Sequence, residues 1–252
     1  MKTLIAIPVH NEGKYLAGIL ERVRQYSQDC DILAIDDGST DGSGRILQQM
    51  SDIAVLTHEK NLGYGRTITD AFEYADQCGY DWVITLDADE QHDPRRIPDF
   101  LRMAALGDAD IISGSRYMRE DPQFAQVPGE RRQINHLITV LLNQMFGLSL
   151  TDSFCGFKAH RVAGLRRLRL TVPGYAFPMQ FWVQAVRAGL RIKEIPIQLI
   201  YHDPSRQFGG GLDDAAIRLR HYIEVLVSEL TDPVGPVSMP ERSTCGCPCS
   251  PC

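Results

Sequence analysis

A dense group of carboxylates follows an apolar run in the first half of the chain. Asp87, Asp89, Glu90 and Asp93 lie within seven positions, after the stretch WVITL. Neighbouring carboxylates repel one another when all are ionised, so the group calls for a positive partner. Two carboxylates with a neutral oxygen ligand suit Mg²⁺ or Mn²⁺, which commonly share their ligands with substrate phosphates. The residues therefore predict a metal and diphosphate site. They leave one alternative open, that Asp87 and Asp89 cap the helix expected from Pro94.

Two further polar clusters end apolar runs in the same way. HNE (10–12) follows TLIAIPV (3–9), and DDGSTDG (36–42) ends a run that begins at residue 31. Carboxylates in such places accept hydrogen bonds from a ribose hydroxyl or a base N–H. Because ligands in open α/β sheets bind outside the carboxyl ends of the strands, we expect all three clusters to line one edge of a sheet.

Strand-like and helix-like segments alternate along the chain and would position these clusters. Continuous apolar runs predict strands buried on both faces, at 3–9, 31–38, 53–59, 82–89, 109–117 and 192–201. Apolar residues at helical spacing, with Asp41 as an N-cap and Gly189 as a C-terminal stop, predict helices at 12–26, 42–50, 64–78, 94–106, 131–146, 177–189 and 212–230. This alternation predicts an α/β fold with a mostly parallel central sheet flanked by helices.

Charge and hydropathy exclude several classes of protein. The chain has 252 residues and a net charge of −6, with no basic tract of the kind that binds nucleic acid. No window approaches 18 uninterrupted apolar residues, so no transmembrane helix is expected. The seven histidines show no zinc-binding spacing. We expect a cytoplasmic protein with one catalytic domain, residues 1–230.

The composition shifts to Pro, Gly, Ser and Cys after that domain, and the sequence closes on CGCPCSPC. We expect residues 231–252 to form a disordered tail without a catalytic role. Its cysteines leave soft-metal binding, disulfide formation and acylation open as alternatives.

Eight motifs follow one another along the chain: IPVHNE, DDGSTDGS, NLGYGRTI, LDADEQHDP, SGSRY, DSFCGFKAHR, GYAFPMQ and KEIPIQLIY. In this order and spacing the sequence resembles the family 2 glycosyltransferases of the GT-A fold. Within that family it is similar to the polyprenyl-phosphate sugar synthases typified by dolichyl-phosphate mannose synthase. The resemblance extends from residue 1 to about residue 228. It implies a nucleotide-sugar donor, a divalent metal ion, Mg²⁺ or Mn²⁺, and a polyprenyl-phosphate acceptor.

The resemblance implies donor-binding and metal-binding roles for residues in four motifs. Asp36 and Asp37 match a pair that holds base and ribose, and Asp89 and Gln91 match ligands of the metal. The residues matched to donor contacts are Pro8, Asn11, Glu12, Asp36, Asp37, Gly63, Arg66, Asp87 and Ala88.

A second group of matched residues concerns the acceptor. Arg116, Arg131 and Arg206 match basic positions near the acceptor phosphate, and Asp152 lies in a segment matched to the transferred sugar. A phosphate acceptor is already an anion at neutral pH, so it needs positioning and charge screening more than a general base. Arginine supplies both through bidentate contacts. These four residues are the catalytic candidates.

The reaction that the resemblance implies is an inverting, metal-dependent transfer of mannose or glucose from GDP-mannose or UDP-glucose to dolichyl or undecaprenyl phosphate. One alternative keeps the donor and uses a glycan, glycolipid or small-molecule hydroxyl as acceptor. Another is a non-catalytic nucleotide-sugar-binding protein. A lipid substrate implies peripheral membrane contact, for which the amphipathic window 134–150 is the candidate. A helix that packs into the core is the other interpretation of that window.

Two departures from the family pattern concern the acceptor side. Gln180 stands where relatives commonly have Glu, and residues 206–214 lack a Ser-Lys pair that relatives carry there. Both departures keep the other acceptor classes open.

Overall fold

The computed structural model describes residues 1–119, 127–198, 200 and 211–231. The strands are β1 (Thr3–Val9), β2 (Asp31–Asp36), β3 (Ala54–Thr57), β4 (Trp82–Thr85), β5 (Ile111–Ser115), β6 (Lys158–Arg161) and β7 (Ile192–Pro196). The helices are α1 (Leu16–Tyr26), α2 (Ser43–Gln48), α3 (Tyr64–Gln77), α4 (Ile97–Ala105), α5 (Gly129–Phe146), α6 (Val162–Leu165), α7 (Phe177–Arg187) and α8 (Ala215–Thr231). The catalytic candidate Arg206 and most of the expected tail, residues 232–252, lie outside the described residues.

The strands form one seven-stranded sheet in the order β3-β2-β1-β4-β6-β5-β7. Every described strand pair is parallel except the two made by β6, which runs antiparallel between β4 and β5. The predicted α/β class with a mostly parallel sheet is therefore confirmed. Strand β6 was not predicted from the sequence, because three of its four residues, KAHR, carry cationic or imidazole side chains, which are typical of a polar loop. Two of them, Lys158 and His160, are nevertheless buried.

Helices cover both faces of the sheet, which explains the continuous apolar runs in its strands. In β1, Leu4 and Ala6 belong to a core shared with α3, α5, α7 and α8. Ile5 and Ile7 belong to a second core on the opposite face, shared with α1, α2 and α4. All four side chains are fully buried. A strand buried on both faces needs apolar residues at every position, as the sequence has them.

Some helix boundaries differ from the prediction for local reasons. Helix α2 begins at Ser43, and its N-cap position is taken by Gly42 in a left-handed conformation (φ 102°). Asp41 lies one residue before that position, and its carboxylate accepts from the backbone N–H of Ser43 at 3.0 Å. Helix α1 begins only at Leu16, after a turn in which the N–H groups of Tyr15 and Leu16 both donate to the carbonyl of Glu12.

Helix α5 packs one face into the core and exposes apolar side chains on another. Ile134, Ile138 and Leu142 are buried in the core. Leu137 and Val140, one helical turn apart, are 50% and 42% exposed on another face, and Met145 near the end of the helix is also exposed. Every helix within the described ranges is too short or too polar to cross a bilayer.

Gln180 lies on α7 and connects that helix to α8 through a side-chain hydrogen bond. Its amide nitrogen donates to the carboxylate of Glu229, and its amide oxygen accepts from the N–H groups of Thr171 and Val172 at 2.6 and 2.9 Å. A glutamate at position 180 would face Glu229 with a second negative charge. The amide therefore fits its local partner on α8.

Candidate active site

A cavity of about 900 Å³ opens at the carboxyl ends of β1, β2 and β4. The predicted site residues that line it are Pro8, Asn11, Glu12, Asp37, Gly63, Asp87, Ala88, Asp89, Gln91, Arg116 and Arg131. The three polar clusters of the sequence therefore meet at one edge of the sheet, as their positions after parallel strands predict. Asp36, Arg66 and Asp152 lie outside the cavity wall.

The loop after β1 is tied to the loop after β2 by side-chain hydrogen bonds. Asn11, in a left-handed conformation (φ 57°), accepts from the N–H of Thr40 through Oδ1 at 2.8 Å, and its own N–H donates to the Ser39 hydroxyl at 3.0 Å. The N–H of Glu12 donates to the Ser43 hydroxyl at 3.0 Å. Asparagine tolerates this backbone conformation better than most residues. The two loops thus form one wall of the cavity.

Asp36 and Asp37 have different surroundings. Asp36 is buried and accepts from the N–H of Ser39 at 2.9 Å, so it shapes the loop and does not face the cavity. Asp37 lines the cavity and accepts from the N–H groups of Leu62 and Gly63 at 2.7 and 2.9 Å. Burial alone would raise the pKa of Asp37, but these bonds and one from His58 hold it below its usual value. Asp37 is therefore a fixed carboxylate at the cavity wall.

Two glycines after Asn61 allow another loop to approach the start of α3. A Cβ at Gly63 would lie 2.5 Å from the carbonyl oxygen of Pro173, and a Cβ at Gly65 would lie 2.2 Å from that of Val172. The NLGYG motif is thus a packing site for residues 172–174 as well as a part of the cavity wall. Arg66, the next residue, turns outward and pairs with Asp70 on the same helix.

Asp87 lines the cavity. Its carboxylate accepts from the Tyr64 hydroxyl at 3.2 Å. It also packs on Gly156, where a Cβ would lie 2.3 Å from Asp87 Oδ2, so any side chain at position 156 would displace it. Tyr64 is partly buried, and both desolvation and the nearby Asp87 raise its pKa well above the usual value, so its hydroxyl remains a hydrogen-bond donor.

The remaining acidic residues of the cluster divide into cavity and surface groups. Asp89 lines the cavity, and its Oδ1 accepts from the N–H of Gln91 at 3.1 Å. Glu90 pairs with Arg22 on α1. Asp93 accepts from the N–H of Arg95 at 3.1 Å and caps the 3₁₀ turn Pro94–Arg96. The capping alternative therefore applies to Asp93, while Asp87 and Asp89 face the cavity.

The oxygen donors of this cluster suit a hard divalent cation. Asp87, Asp89 and Gln91 present carboxylate and amide oxygens to the cavity. Within the described ranges, no three His, Cys, Asp or Glu residues come close enough to hold a metal ion by themselves. A cation held here would need further ligands from water or a substrate diphosphate, which is the usual coordination of protein-bound Mg²⁺.

Arg116, which lines the cavity, forms an ion pair with the buried Asp152. The Arg116 Nε and Nη2 atoms lie 2.6 and 2.9 Å from the two carboxylate oxygens. Asn135 and the N–H of Phe154 also donate to Asp152, at 2.9 and 3.2 Å. Burial opposes ionisation of Asp152, but Arg116 lowers the pKa of this fully buried carboxyl to about 2. Asp152 therefore orients Arg116, and Arg116 is the member of the pair that faces the cavity.

Two cationic side chains of the cavity wall, Lys158 and Arg218, were not predicted from the sequence. Lys158 on β6 is buried, and its ammonium group donates to the carbonyl of Cys155. Burial lowers the pKa of this ammonium group, and the nearby Asp152 and Asp87 carboxylates oppose that shift. Arg218 on α8 is 2% exposed, donates to the carbonyl of Leu212 at 2.6 Å and lines the cavity near Arg131. The sequence offered no spacing signal for either, because each reaches the site through a distant element.

Comparison with known proteins gives consistent results. The profile of the family described as Glycosyl transferase family 2 matches residues 4–169. The chain is similar to an undecaprenyl-phosphate mannosyltransferase of Micrococcus luteus, with 30% identity over 88% of this chain and 94% of that protein. It is also similar to a polyprenol monophosphomannose synthase of Mycolicibacterium smegmatis, with 25% identity over 88% of this chain and 86% of that protein.

Solved structures share the fold at lower identity. Glucosyl-3-phosphoglycerate synthase of Mycobacterium tuberculosis, in complex with Mn²⁺, uridine diphosphate and glucosyl-3-phosphoglycerate, superposes with a TM-score of 0.68. The two chains are 18% identical, and the match covers 90% of this chain and 79% of that one.

Proposed function

Since the chain belongs to glycosyl transferase family 2 and is a glycosyltransferase, we propose that it transfers a hexose from a nucleotide sugar to a polyprenyl phosphate. The observation that carries this proposal is the set of charged groups that share one cavity. Carboxylates of Asp37, Asp87 and Asp89 line it together with the guanidinium groups of Arg116 and Arg131. The carboxylates suit a metal-bound diphosphate, and the arginines suit a phosphate acceptor. The relatives named for polyprenyl-phosphate mannosyl transfer support this acceptor class.

The donor end of the cavity explains how a nucleotide sugar would be held. Asp37 accepts a hydrogen bond from the nucleoside, and the joined loops after β1 and β2 enclose it. Asp89 and Gln91 would hold Mg²⁺ or Mn²⁺, which offsets the charge on a departing nucleoside diphosphate when bound. Asp87, fixed by Tyr64 and Gly156, contacts the donor beside it. The donor classes that fit the resemblance are GDP-mannose and UDP-glucose.

The acceptor end needs no general base for a phosphate. Arg116 is held by Asp152, and Arg131 lies in the first turn of α5, so both present positive charge to the same space. They orient the acceptor oxygen and screen its charge during approach to the anomeric carbon. A single displacement at that carbon inverts its configuration. Analysis of the product's anomeric configuration by NMR tests this point, and retention would contradict it.

A transfer assay tests the acceptor. The full chain is incubated with Mn²⁺, radiolabelled GDP-mannose or UDP-glucose, and undecaprenyl phosphate in detergent, and label in the lipid phase is measured. Arg131→Gln should lower kcat/KM for the lipid phosphate about tenfold or more. Arg132→Gln is the matched control, because Arg132 is exposed and lies outside the cavity wall. Transfer of label only to soluble hydroxyl acceptors would overturn the proposal.

A second assay tests the metal. Asp89→Asn should weaken the stimulation of donor turnover by Mn²⁺, since one charged ligand is lost. Glu90→Gln, one position away, should leave it unchanged because Glu90 pairs with Arg22 on the surface. Equal Mn²⁺ dependence of Asp89→Asn and the wild type would contradict the assignment of Asp89 as a ligand.

A lipid acceptor requires contact with a membrane surface, and we place that contact on α5. Leu137, Val140 and Met145 are exposed on this helix, and Arg131 in its first turn lies at the cavity. Leu137→Glu with Val140→Glu should reduce cosedimentation with vesicles of anionic phospholipid. Val55→Glu on β3 is the control, because Val55 is similarly exposed (39%) and lies on a different element. Undiminished vesicle binding by the α5 variant would refute the placement.

A further inference from the structure

His58, in the first position after β3, lies buried between two carboxylates. Its Nδ1 is 2.7 Å from Asp37 Oδ1, and its Nε2 is 3.0 Å from Asp70 Oδ2. The three side chains are between 5% and 9% exposed. The backbone N–H of His58 donates to the carbonyl of Asp36 at 2.9 Å, which fixes the residue beside the end of β2.

The contacts continue outward to Arg66. The Arg66 Nε donates to Asp70 Oδ2 at 2.9 Å, and a second guanidinium nitrogen pairs with Asp70 Oδ1. Acidic and basic groups thus alternate from the cavity wall to the surface, in the order Asp37, His58, Asp70 and Arg66. A carboxylate oxygen lies at each ring nitrogen of His58, so the two carboxylates fix the orientation of the imidazole between them.

This arrangement limits how Asp37 can meet a ligand. Its Oδ1 accepts from His58 and from the N–H of Leu62, and its Oδ2 accepts from the N–H of Gly63. A carboxylate oxygen has about two acceptor positions, so both positions of Oδ1 are taken. Asp37 lines the cavity. Its Oδ2 has a second acceptor position, which no donor within the described ranges fills.

We propose that His58 is a positioning residue for the donor nucleotide. It holds the Asp37 carboxylate in one rotamer, with Oδ2 as the single acceptor offered to an N–H or O–H group of the nucleoside. This inference rests on the proposed function, since it concerns the nucleotide end of the same cavity. It also gives Arg66 a role at the outer end of the network, in place of a direct contact with the donor.

The test measures nucleotide binding separately from catalysis. GDP and UDP are titrated into wild type and His58→Gln by calorimetry with Mn²⁺ present, and transfer kinetics are measured with the matching nucleotide sugar. We expect the Kd of the nucleotide and the KM of the donor to rise about tenfold, because a charge-assisted bond that orients Asp37 is lost. We expect kcat at saturating donor and KM for the acceptor to change less than about twofold. A merely structural role would lower the amount of folded protein without this split between KM and kcat.

Three further variants test the outer contacts of the network and the effect of losing a histidine elsewhere. Asp70→Asn keeps the ring and removes the outer carboxylate, so it should weaken nucleotide binding by about threefold. Arg66→Gln should change it by less than about twofold, because Arg66 is exposed and far from Oδ2 of Asp37 along the network. His221→Gln on α8 is the matched control for the loss of a histidine. A tenfold loss in Arg66→Gln would overturn the network in favour of a direct Arg66 contact.

The remaining outcomes separate the role of His58 from the proposed function. Unchanged nucleotide affinity in His58→Gln, with normal transfer by the wild type, would overturn the role of His58 and leave the proposed function standing. Failure of the wild type to bind either nucleotide would overturn both. If His58→Gln does not fold, Asp70→Asn decides, and an affinity equal to that of the wild type would overturn the inference.

Discussion

Asp152→Asn removes one charge from the buried pair that holds Arg116. The substitution keeps the shape of the side chain but leaves the Arg116 guanidinium without its counter-ion in a site where Asp152 is fully buried. In the wild type the Asp152 carboxylate accepts five hydrogen bonds. The asparagine would place an amide N–H₂ group, itself a donor, among those donors. Breaking a buried ion pair in this way costs about 3–5 kcal/mol of folding free energy. A loss of this size is a large fraction of the stability of an ordinary domain.

Chemical denaturation followed by circular dichroism measures this loss. A double-mutant cycle with Arg116→Gln separates the ion pair from the packing of each side chain. We expect Asp152→Asn and Arg116→Gln each to be strongly destabilising and the double variant to cost less than their sum, because it leaves no uncompensated charge. Arg102→Gln is the control, since it breaks the exposed pair with Asp99 and should cost less than about 1 kcal/mol.

The pH dependence gives an independent check. The pKa of Asp152 is lowered to about 2, below its usual value of about 4. Its contribution to stability is therefore complete above about pH 4 and is lost as the pH falls towards 2. In Arg116→Gln the lowering is removed, so this loss of stability between about pH 4 and pH 2 should be absent. A cost below about 1 kcal/mol for Asp152→Asn, with additive cycle energies, would refute the account of this pair.

Three further predictions concern single contacts. Gly65→Ala places a Cβ 2.2 Å from the carbonyl oxygen of Val172, so it should lower the melting temperature and weaken nucleotide binding. Gly18→Ala is the control, because a Cβ there meets no atom within 4 Å and should change neither property. Burial holds the pKa of His160 well below its usual value, so the wild type should lose stability as the pH falls below about 6.5. His160→Phe should lose less stability between pH 8 and pH 5, as measured by denaturant titration at both values. Gln180→Glu should destabilise α8 by charge repulsion with Glu229, and Glu229→Gln in the same chain should restore the melting temperature.

The sheet and the position of the cavity follow from patterns that are local in sequence. Apolar runs define the strands, and parallel pairing brings their carboxyl ends together, so Asn11, Asp37 and Asp87 meet without any long-range information. The N-cap at Asp93 could also be predicted from the sequence, because an aspartate directly before proline is a common helix start. The pairing of Arg66 with Asp70 follows from i,i+4 spacing, which could have shown that Arg66 turns away from the cavity.

The rest of the site depends on contacts between distant elements. The role of Asp152 depends on Arg116, directly after β5, and on Asn135 from α5, neither of which is near it in sequence. From the sequence alone, Lys158 would be predicted to be an exposed cation. Its burial follows from the insertion of β6 between β4 and β5. The assignments of Arg131, Asp89 and Gln91 stay predictions, since their roles depend on substrates and a cation.

The antiparallel insertion of β6 has a consequence for the order in which the chain can fold during synthesis. Strands β1 to β4 come from residues 3–85 and can pair as soon as they leave the ribosome. The outer edge of β4, whose four residues are all buried in the finished protein, then has no strand beside it until β6 arrives. Residues 86–157 must be synthesised in between, and β5 cannot take its place before β6 does. An open apolar edge of this kind invites mispairing with other nascent chains, so this interval is the one in which a chaperone would contribute most to yield.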